Sequence, residues 1–294
     1  MAWHQISVVT DETTAPKVAD LFSDFGAVSV TYMDDEDEPV YEPAPGETRI
    51  WKRTRVIALY EITVDPALIK SQVRKIFHEK CLSHWEFDVI KDQAWERAWM
   101  EFYQPMKFAD KLWVCPTDQE RHEANTVCLT LDPGLAFGTG THPTTALCLD
   151  WLAHQNLTGK TIVDFGCGSG ILAIASLLLG ANIAYAVDID PQAITATEYN
   201  AVKNNVQDKV ICCLPDQFAA NKLQFDVVLA NILAKPLIDM AQQITSLLIT
   251  GGQLVLSGIL AEQADGVATG YSPYIELNSC VQQDEWVRLS GTKH

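Results

Sequence analysis

Apolar and polar positions alternate with a strand period from Trp3 to Val9, change to helical spacing from Ala15 to Phe25, and return to alternation from Ala27 to Met33. The order repeats after an acidic stretch: β-branched and aromatic residues run from Val56 to Val64, helical spacing from Ala67 to Lys80, and a strand-like segment from Trp85 to Ile90. Such a β-α-β-β-α-β series predicts a small α+β, ferredoxin-like domain over residues 1–91, with two helices laid on one face of an antiparallel sheet.

From Asp92 to Lys107 the pattern changes to Trp95, Trp99, Phe102 and Tyr103 among charges, an amphipathic connector assigned to 92–108. Beyond it strands and helices alternate: strand Thr161 to Phe165, helix Gly170 to Leu179, strand Ile183 to Val187, helix Pro191 to Asn204 and strand Lys209 to Cys213. Strand Phe225 to Ala230, helix Lys235 to Leu248 and strand Gln253 to Ser257 complete the core. Strands alternating with helices predict a doubly wound parallel α/β sheet over 109–294. Strand-like runs Tyr274 to Cys280 and Glu285 to Leu289, with a short link, predict an antiparallel terminal hairpin. No internal repeat is present.

Length and composition agree with two domains. The 294 residues are 48% hydrophobic and 20% charged, enough apolar surface for two cores. The formal net charge of -17 disfavours a nucleic-acid partner, whose phosphates demand lysine and arginine, and suits a basic protein; it also fits plain solubility. Residues 34–47 hold seven acids and three prolines, so they predict a solvated loop or a contact surface for a basic protein. The eight cysteines are scattered without Cys-x-x-Cys pairs, which predicts buried thiols in a reducing compartment and no metal site. No signal peptide opens the chain and no apolar run spans a bilayer, so a cytoplasmic protein without membrane contact is expected, acting as a monomer.

The chemistry centres on Val163-Asp-Phe-Gly166-Cys-Gly168-Ser-Gly170, where the first core strand turns into its helix. Ligands of α/β sheets bind at such carboxyl ends, where glycines allow close approach and a helix start exposes unpaired N–H groups. The third glycine comes one residue early for a dinucleotide fingerprint, and Ile171 takes its place. Asp164, just before the first glycine, would repel a pyrophosphate but attract a cationic aminoacyl group, directly or through water. The next strand ends Val187-Asp188-Ile-Asp190, placing Asp188 about twenty residues on, where one acid accepts both ribose hydroxyls. Order and spacing together point to S-adenosylmethionine, the nucleoside-sulfonium methyl donor. A fourth core strand ends Ala230-Asn231-Ile-Leu; Asn231 either holds a nucleophilic amine through its amide oxygen or caps the helix near Lys235. The segment Asp132 to Thr145, dense in glycine and threonine, reads as a lid over the donor that includes Phe137, Gly138 and Thr139, or as a threonine-capped helix start. His142 is either a base or a structural residue beside Pro143, the latter being preferred.

With these residues in place the chain resembles the bacterial methyltransferases of ribosomal protein eleven of the large subunit (PrmA type), over essentially its whole length. Asp132 through Thr145, Asp164 through Gly170, Val187 through Asp190 and Asn231 through Pro236 carry the resemblance, in the family's order and spacing. Asn231-Ile-Leu-Ala stands where other amino methyltransferases often carry Asn-Pro-Pro-Tyr. The resemblance implies an amino-terminal domain that recognises the ribosomal protein and a Rossmann-like class I catalytic domain. It implies donor contacts at Thr145, Gly166, Asp188 and Asn231, with Gly168 in the same loop. Lysine side chains and the amino-terminal amine of that ribosomal protein are the implied targets. The rivals are a methyltransferase of another protein or of ribosomal RNA, a non-catalytic nucleotide-binding protein, and a nicotinamide oxidoreductase that the glycine spacing disfavours.

Overall fold

The computed structural model describes residues 2–36, 50–78, 81–91, 104–121, 123–131, 138, 140–219 and 223–294. The chain divides into two compact units, Met1–Ala98 and Trp99–His294.

The first unit has strands β1 (Ala2–Asp11), β2 (Ser29–Asp34), β3 (Arg53–Glu61) and β4 (Ser83–Lys91), with helices α1 (Ala15–Asp24) and α2 (Pro66–Ile76). They form one sheet in the order β2-β3-β1-β4 with every pair antiparallel, and the element order is β-α-β-β-α-β. Strand β3 alternates, burying Val56, Ala58 and Tyr60 against Val18 and Phe22 of α1 and Ile69 and Val73 of α2. Tyr60 is fully buried, so its hydroxyl needs an acceptor, which the Phe22 carbonyl supplies at 3.0 Å. Asp65 accepts the Ala67 N–H at 2.9 Å and, with Pro66 in the first turn, starts α2. The acidic stretch begins differently from a solvated loop: Asp34 closes β2, and Asp35 lies nearly buried between Arg53 and Arg55, each at 2.7 Å. The rest of that stretch, residues 37–47, lies outside the described residues.

The second unit opens with strands that the sequence pattern did not show, β5 (Met106–Phe108), β6 (Leu112–Cys115) and β7 (Val127–Thr130). They form a separate three-stranded sheet in the order β5-β6-β7. Residues 106–108 are thus strand rather than connector, and the aromatics at 95, 99, 102 and 103 lie outside the described residues. The β5–β6 turn puts Ala109 (φ 46°) and Asp110 (φ 54°) in the left-handed region, without the Asn-Gly signature of such turns.

Next come α3 (Pro143–His154), β8 (Thr161–Phe165), α4 (Ile171–Leu178), β9 (Ile183–Val187), α5 (Pro191–Lys203), β10 (Val210–Cys213) and α6 (Pro215–Ala219). The chain continues through β11 (Phe225–Asn231), α7 (Ala234–Asp239), α8 (Ala241–Ser246), β12 (Leu248–Leu260), α9 (Ala264–Tyr271), β13 (Ile275–Gln283) and β14 (Trp286–Lys293). The large sheet runs β10-β9-β8-β11-β12-β14-β13, its first five strands parallel and β14 antiparallel to both neighbours. This is the doubly wound, Rossmann-like α/β sheet with an antiparallel terminal hairpin that the periodicity predicts.

Successive strand residues separate the two faces. Ile162, Val227 and Leu229 join the layer that contains α3 and α4, whereas Val163, Val228 and Ala230 join the layer of α7, α8 and α9. The single helix expected from Lys235 to Leu248 is two segments with Met240 (φ −102°, ψ 11°) between them. Hydrogen bonds from Met240 to Pro236 and from Ile244 to Met240 still cross that point, so the segments are a kinked pair. Helix α9 was not expected because Gly266 and Gly270 disfavour a helix. Tertiary packing overrides that preference: Val267 and Tyr271 are buried, and Tyr271 donates its hydroxyl to the Leu237 carbonyl at 2.9 Å. Cys81 and Cys280 are exposed rather than buried, the remaining cysteines are buried or half-buried, and all eight are free thiols. Among the described residues no helix is long and apolar enough to cross a membrane, and no group of three or more His, Cys, Asp or Glu is placed to hold a metal ion.

Candidate active site

Strand β8 leaves the sheet through three left-handed glycines, Gly166 (φ 81°), Gly168 (φ 54°) and Gly170 (φ 77°). Two of them also allow packing that a side chain would prevent. A Cβ on Gly166 would lie 2.3 Å from Ile232 Cγ2, and one on Gly170 2.5 Å from Thr197 Cγ2.

The N–H groups of this loop turn inward. Gly166 and Cys167 donate to the Val187 carbonyl at 2.8 and 3.1 Å, Gly168 donates to Asp188 Oδ2 at 2.9 Å, and Gly170 donates to the Cys167 carbonyl at 2.8 Å. In the first turn of α4 the Ala173 N–H is taken by Asp164 Oδ2 at 3.1 Å. Five donors of this loop and helix start, those of Gly166, Cys167, Gly168, Gly170 and Ala173, are therefore taken within the protein. An array of acceptors remains, which suits a cationic ligand bearing hydroxyls.

Asp164 is the penultimate residue of β8, on the face covered by α4 beneath the glycine loop, and is only 1% exposed. Its Oδ1 has no hydrogen-bond partner. Burial pushes its carboxyl up to about 7, the Ala173 N–H counteracts, and the charge of Asp188 adds to the rise. Rather than facing the crevice directly, it takes the capping role that Gly170, the N-cap of α4, lacks a side chain to fill.

Asp188 follows β9 and is held from two sides, Oδ2 by the Gly168 N–H and Oδ1 by the Asp190 N–H at 3.0 Å. Asp190 in turn accepts the Gln192 N–H at 2.8 Å and starts α5. A half-exposed carboxylate fixed in this way keeps lone pairs for a pair of ligand hydroxyls.

Asn231 ends β11 opposite Ser257 of β12. Helix α7 starts three residues later with Leu233 as its N-cap and no side-chain cap bond, so the capping alternative for Asn231 falls away. Its Nδ2 donates to Thr145 Oγ1 at 3.2 Å, which orients the amide. Ile232, the next residue, lies between two glycines: a Cβ on Gly258 (φ 82°) would come within 2.3 Å of the Ile232 carbonyl oxygen, opposite the Gly166 contact.

The segment 132–137 and residue 139 lie outside the described residues, and with them Phe137 and Thr139. Gly138 is placed: its carbonyl accepts the Ser169 hydroxyl at 2.5 Å. The cap of α3 is His142 and not the threonines, since its Nδ1 lies 3.4 Å from the Thr144 nitrogen and 2.8 Å from Thr144 Oγ1. Burial holds the His142 imidazole below its usual range, and Trp286 packs edge-on at 5.0 Å, as befits a structural residue. Sequence reasoning thus placed Gly138, Thr145, Asp164, Gly166, Gly168, Asp188 and Asn231 along the tips of β8, β9 and β11 and the segments touching them. It missed Ile232, Ser169 and Gly258, the last signalled only by a glycine inside an apolar strand.

Asp164 makes a pH prediction. An acid raised from 3.8 to about 7 keeps its proton in the folded chain where the unfolded chain has lost it, so its contribution to stability falls as pH rises through that window. Asp164→Asn keeps an acceptor for Ala173 and cannot ionise. The melting temperature of the variant should therefore gain on wild type between about pH 5 and about pH 8, by roughly 3 °C or more, equivalent to about 1 kcal/mol in a chain of this size. A flat difference over that range would show a carboxyl ionising as in the unfolded chain.

The family model described as Ribosomal protein L11 methyltransferase (PrmA) matches residues 2–294. A ribosomal protein L11 methyltransferase of Methylococcus capsulatus is 48% identical over 292 residues, covering 99% of each chain. One of Actinobacillus pleuropneumoniae serotype 3 is 49% identical over 295 residues, covering 100% of both. The crystal structure of ribosomal protein L11 methylase from Lactobacillus delbrueckii subsp. bulgaricus superposes with a TM-score of 0.60 at 31% identity, covering 65% of this chain and 100% of that one. A glycine loop with its donors turned inward, an acid held at the second strand tip, an oriented asparagine at the fourth and a match over nearly every residue lead to one conclusion: this chain belongs to the ribosomal protein L11 methyltransferase family.

Proposed function

We propose that this protein transfers methyl groups from S-adenosylmethionine to amino groups of ribosomal protein L11, namely lysine side chains and the amino-terminal amine. The observation that carries the reading is the Asn231 amide, oriented by Thr145 at the tip of β11 on the same sheet edge as Asp188. In this reading Asp188 accepts the ribose hydroxyls and Gly166 and Gly168 give the donor close backbone approach. Gly138, Thr145 and, outside the described residues, Phe137 and Thr139 complete the contacts. Asp164 acts from beneath, through its unpaired Oδ1 or through water.

S-adenosylmethionine, when bound, supplies an electrophilic methyl group on a positive sulfur. Only a neutral amine attacks it, and a free lysine of pKa about 10.4 is less than about a thousandth neutral at pH 7. The amide oxygen of Asn231 accepts an N–H from the incoming amine and holds its lone pair in line, which is the positioning part of the rate enhancement. A dry site that disfavours the ammonium form lets the proton leave to water, and no side-chain base is needed. His142, held neutral and occupied as a helix cap, takes no part.

Residues 1–91 are assigned to recognition of the ribosomal protein, 92–108 to the connection and 109–294 to catalysis. The net charge of -17 favours a basic protein over nucleic acid as the partner. A monomer working in the cytoplasm, where ribosomal proteins are made, completes the reading.

Intact and peptide mass spectrometry tests it, on separated ribosomal proteins and ribosomal RNA incubated with the enzyme and a labelled donor. Methyl increments on L11 amines are expected; label on RNA, on another protein or on nothing would overturn the assignment. Two variants separate the roles. Asn231→Ala should keep donor affinity within about threefold and lose roughly a hundredfold in kcat, the scale of a misplaced reactant. Asp188→Ala should weaken calorimetric donor affinity by at least about tenfold, or about 1.4 kcal/mol. Equal losses of binding and turnover in the first variant, or unchanged affinity in the second, would remove that residue from its role.

A further inference from the structure

Helix α5 and its C-cap residue Asn204 carry a buried polar stripe that the proposed chemistry does not use. Thr197, Asn200 and Asn204 are all buried, and each reaches backbone rather than an apolar neighbour. Thr197 donates its hydroxyl to the Gly168 carbonyl at 3.0 Å, and Asn200 donates an amide N–H to the Ser169 carbonyl at 2.9 Å. Asn204 accepts the Thr130 N–H and returns an N–H to the Thr130 carbonyl, both at 2.8 Å, with a further N–H to the Asn200 carbonyl at 2.8 Å. Buried amides are unfavourable unless satisfied, and apolar residues would serve a helix that only needed to pack. This stripe instead holds particular backbone: the glycine loop, and the end of β7.

Ser169 extends the chain of bonds. It is itself 5% exposed, and while its carbonyl is held by Asn200 its hydroxyl reaches the Gly138 carbonyl at 2.5 Å. Gly138 adopts φ 96°, and a Cβ there would stand 3.1 Å from Ser169 Oγ and 3.6 Å from Ile171 Cγ2, so the two segments fit closely.

We propose that Ser169 is a positioning residue for the methyl donor: its hydroxyl seats Gly138 on the glycine loop, so that both segments meet the ligand already joined. This rests on the donor-binding reading above. Ser169 acts through Gly138, since its own hydroxyl is engaged there. Without that bond the Gly138 backbone has to be ordered when the ligand binds, and this cost appears in affinity. The amine is held from β11, by Asn231, so the chemical step is affected less.

Calorimetric titration of S-adenosylmethionine into the full-length protein tests this, with wild type, Ser169→Ala, Ser169→Cys and Ser169→Thr each checked by thermal melting. Absence of binding by wild type would refute the donor reading itself, and the proposal with it. Given wild-type binding, the Ala and Cys variants should raise Kd about tenfold, which is about 1.4 kcal/mol. The Thr variant, which keeps the hydroxyl, should return Kd to within about threefold. In steady state the KM for the donor should rise by a larger factor than kcat falls. Should the Ala variant fail to fold, the near-isosteric Cys variant carries the test. Wild-type affinity in the folded Ala or Cys variant, a Thr variant as weak as they are, or a fall in kcat matching the loss of affinity would each overturn the proposal.

Discussion

The site depends on how closely the tips of three strands approach one another, and that distance is set by missing side chains. Ile232 lies between Gly166, just past β8, and Gly258 on β12, in contacts of 2.3 Å for an ideal Cβ on either side. A methyl group at Gly258 would collide with the Ile232 backbone and displace the end of β11, and one at Gly166 would displace the Ile232 side chain. Both glycines also sit at positive φ, so each answers two demands at once, a backbone turn and a close approach. The hydrogen bonds of Gly166 and Cys167 to Val187, and of Gly168 to Asp188, join β8 to β9 in the same way. Three strand ends become one surface.

That surface is one of acceptors. A glycine loop before a helix ordinarily offers N–H groups to an anion, but here the donors of Gly166, Cys167, Gly168, Gly170 and Ala173 are all satisfied inside the protein. What is left at the surface is a carboxylate fixed at the tip of β9 and an oriented amide at the tip of β11. Hydroxyl hydrogens match such acceptors.

Much of this was legible in the sequence. The change of period from 2 to 3.6 placed β8, α4, β9, α5 and β11 within a residue or so, because those elements are long, buried and regular. The order of Asp164, Gly166, Asp188 and Asn231 along them named the candidate site, and the fold gathers these residues at the ends of β8, β9 and β11. What escaped notice did so for identifiable reasons. The three strands β5 to β7 are only three or four residues long, and their first turn uses Ala109 and Asp110 where glycine would have announced it. Helix α9 was hidden by two glycines, whose low helix preference the burial of Val267 and Tyr271 outweighs. Asp164 read as a group facing the ligand because its place in the motif is visible and its burial under α4 is not. His142, rather than a threonine, caps α3, an outcome that residue preferences rank low.

The reversal of β14 has a geometric consequence. In a wholly parallel sheet each new loop on the ligand-binding side requires a complete crossover. Here Gln283 pairs with Trp286 across a tight reversal at Asp284 (φ 53°) and Glu285, and because β14 runs against β12 its opening residue stands at the edge where parallel neighbours end. Trp286 reaches the His142 ring from there. A two-residue hairpin thereby sets its turn at the mouth of the crevice, where Trp286 braces the helix that orients Asn231, a task for which an all-parallel design would need another thirty residues or so.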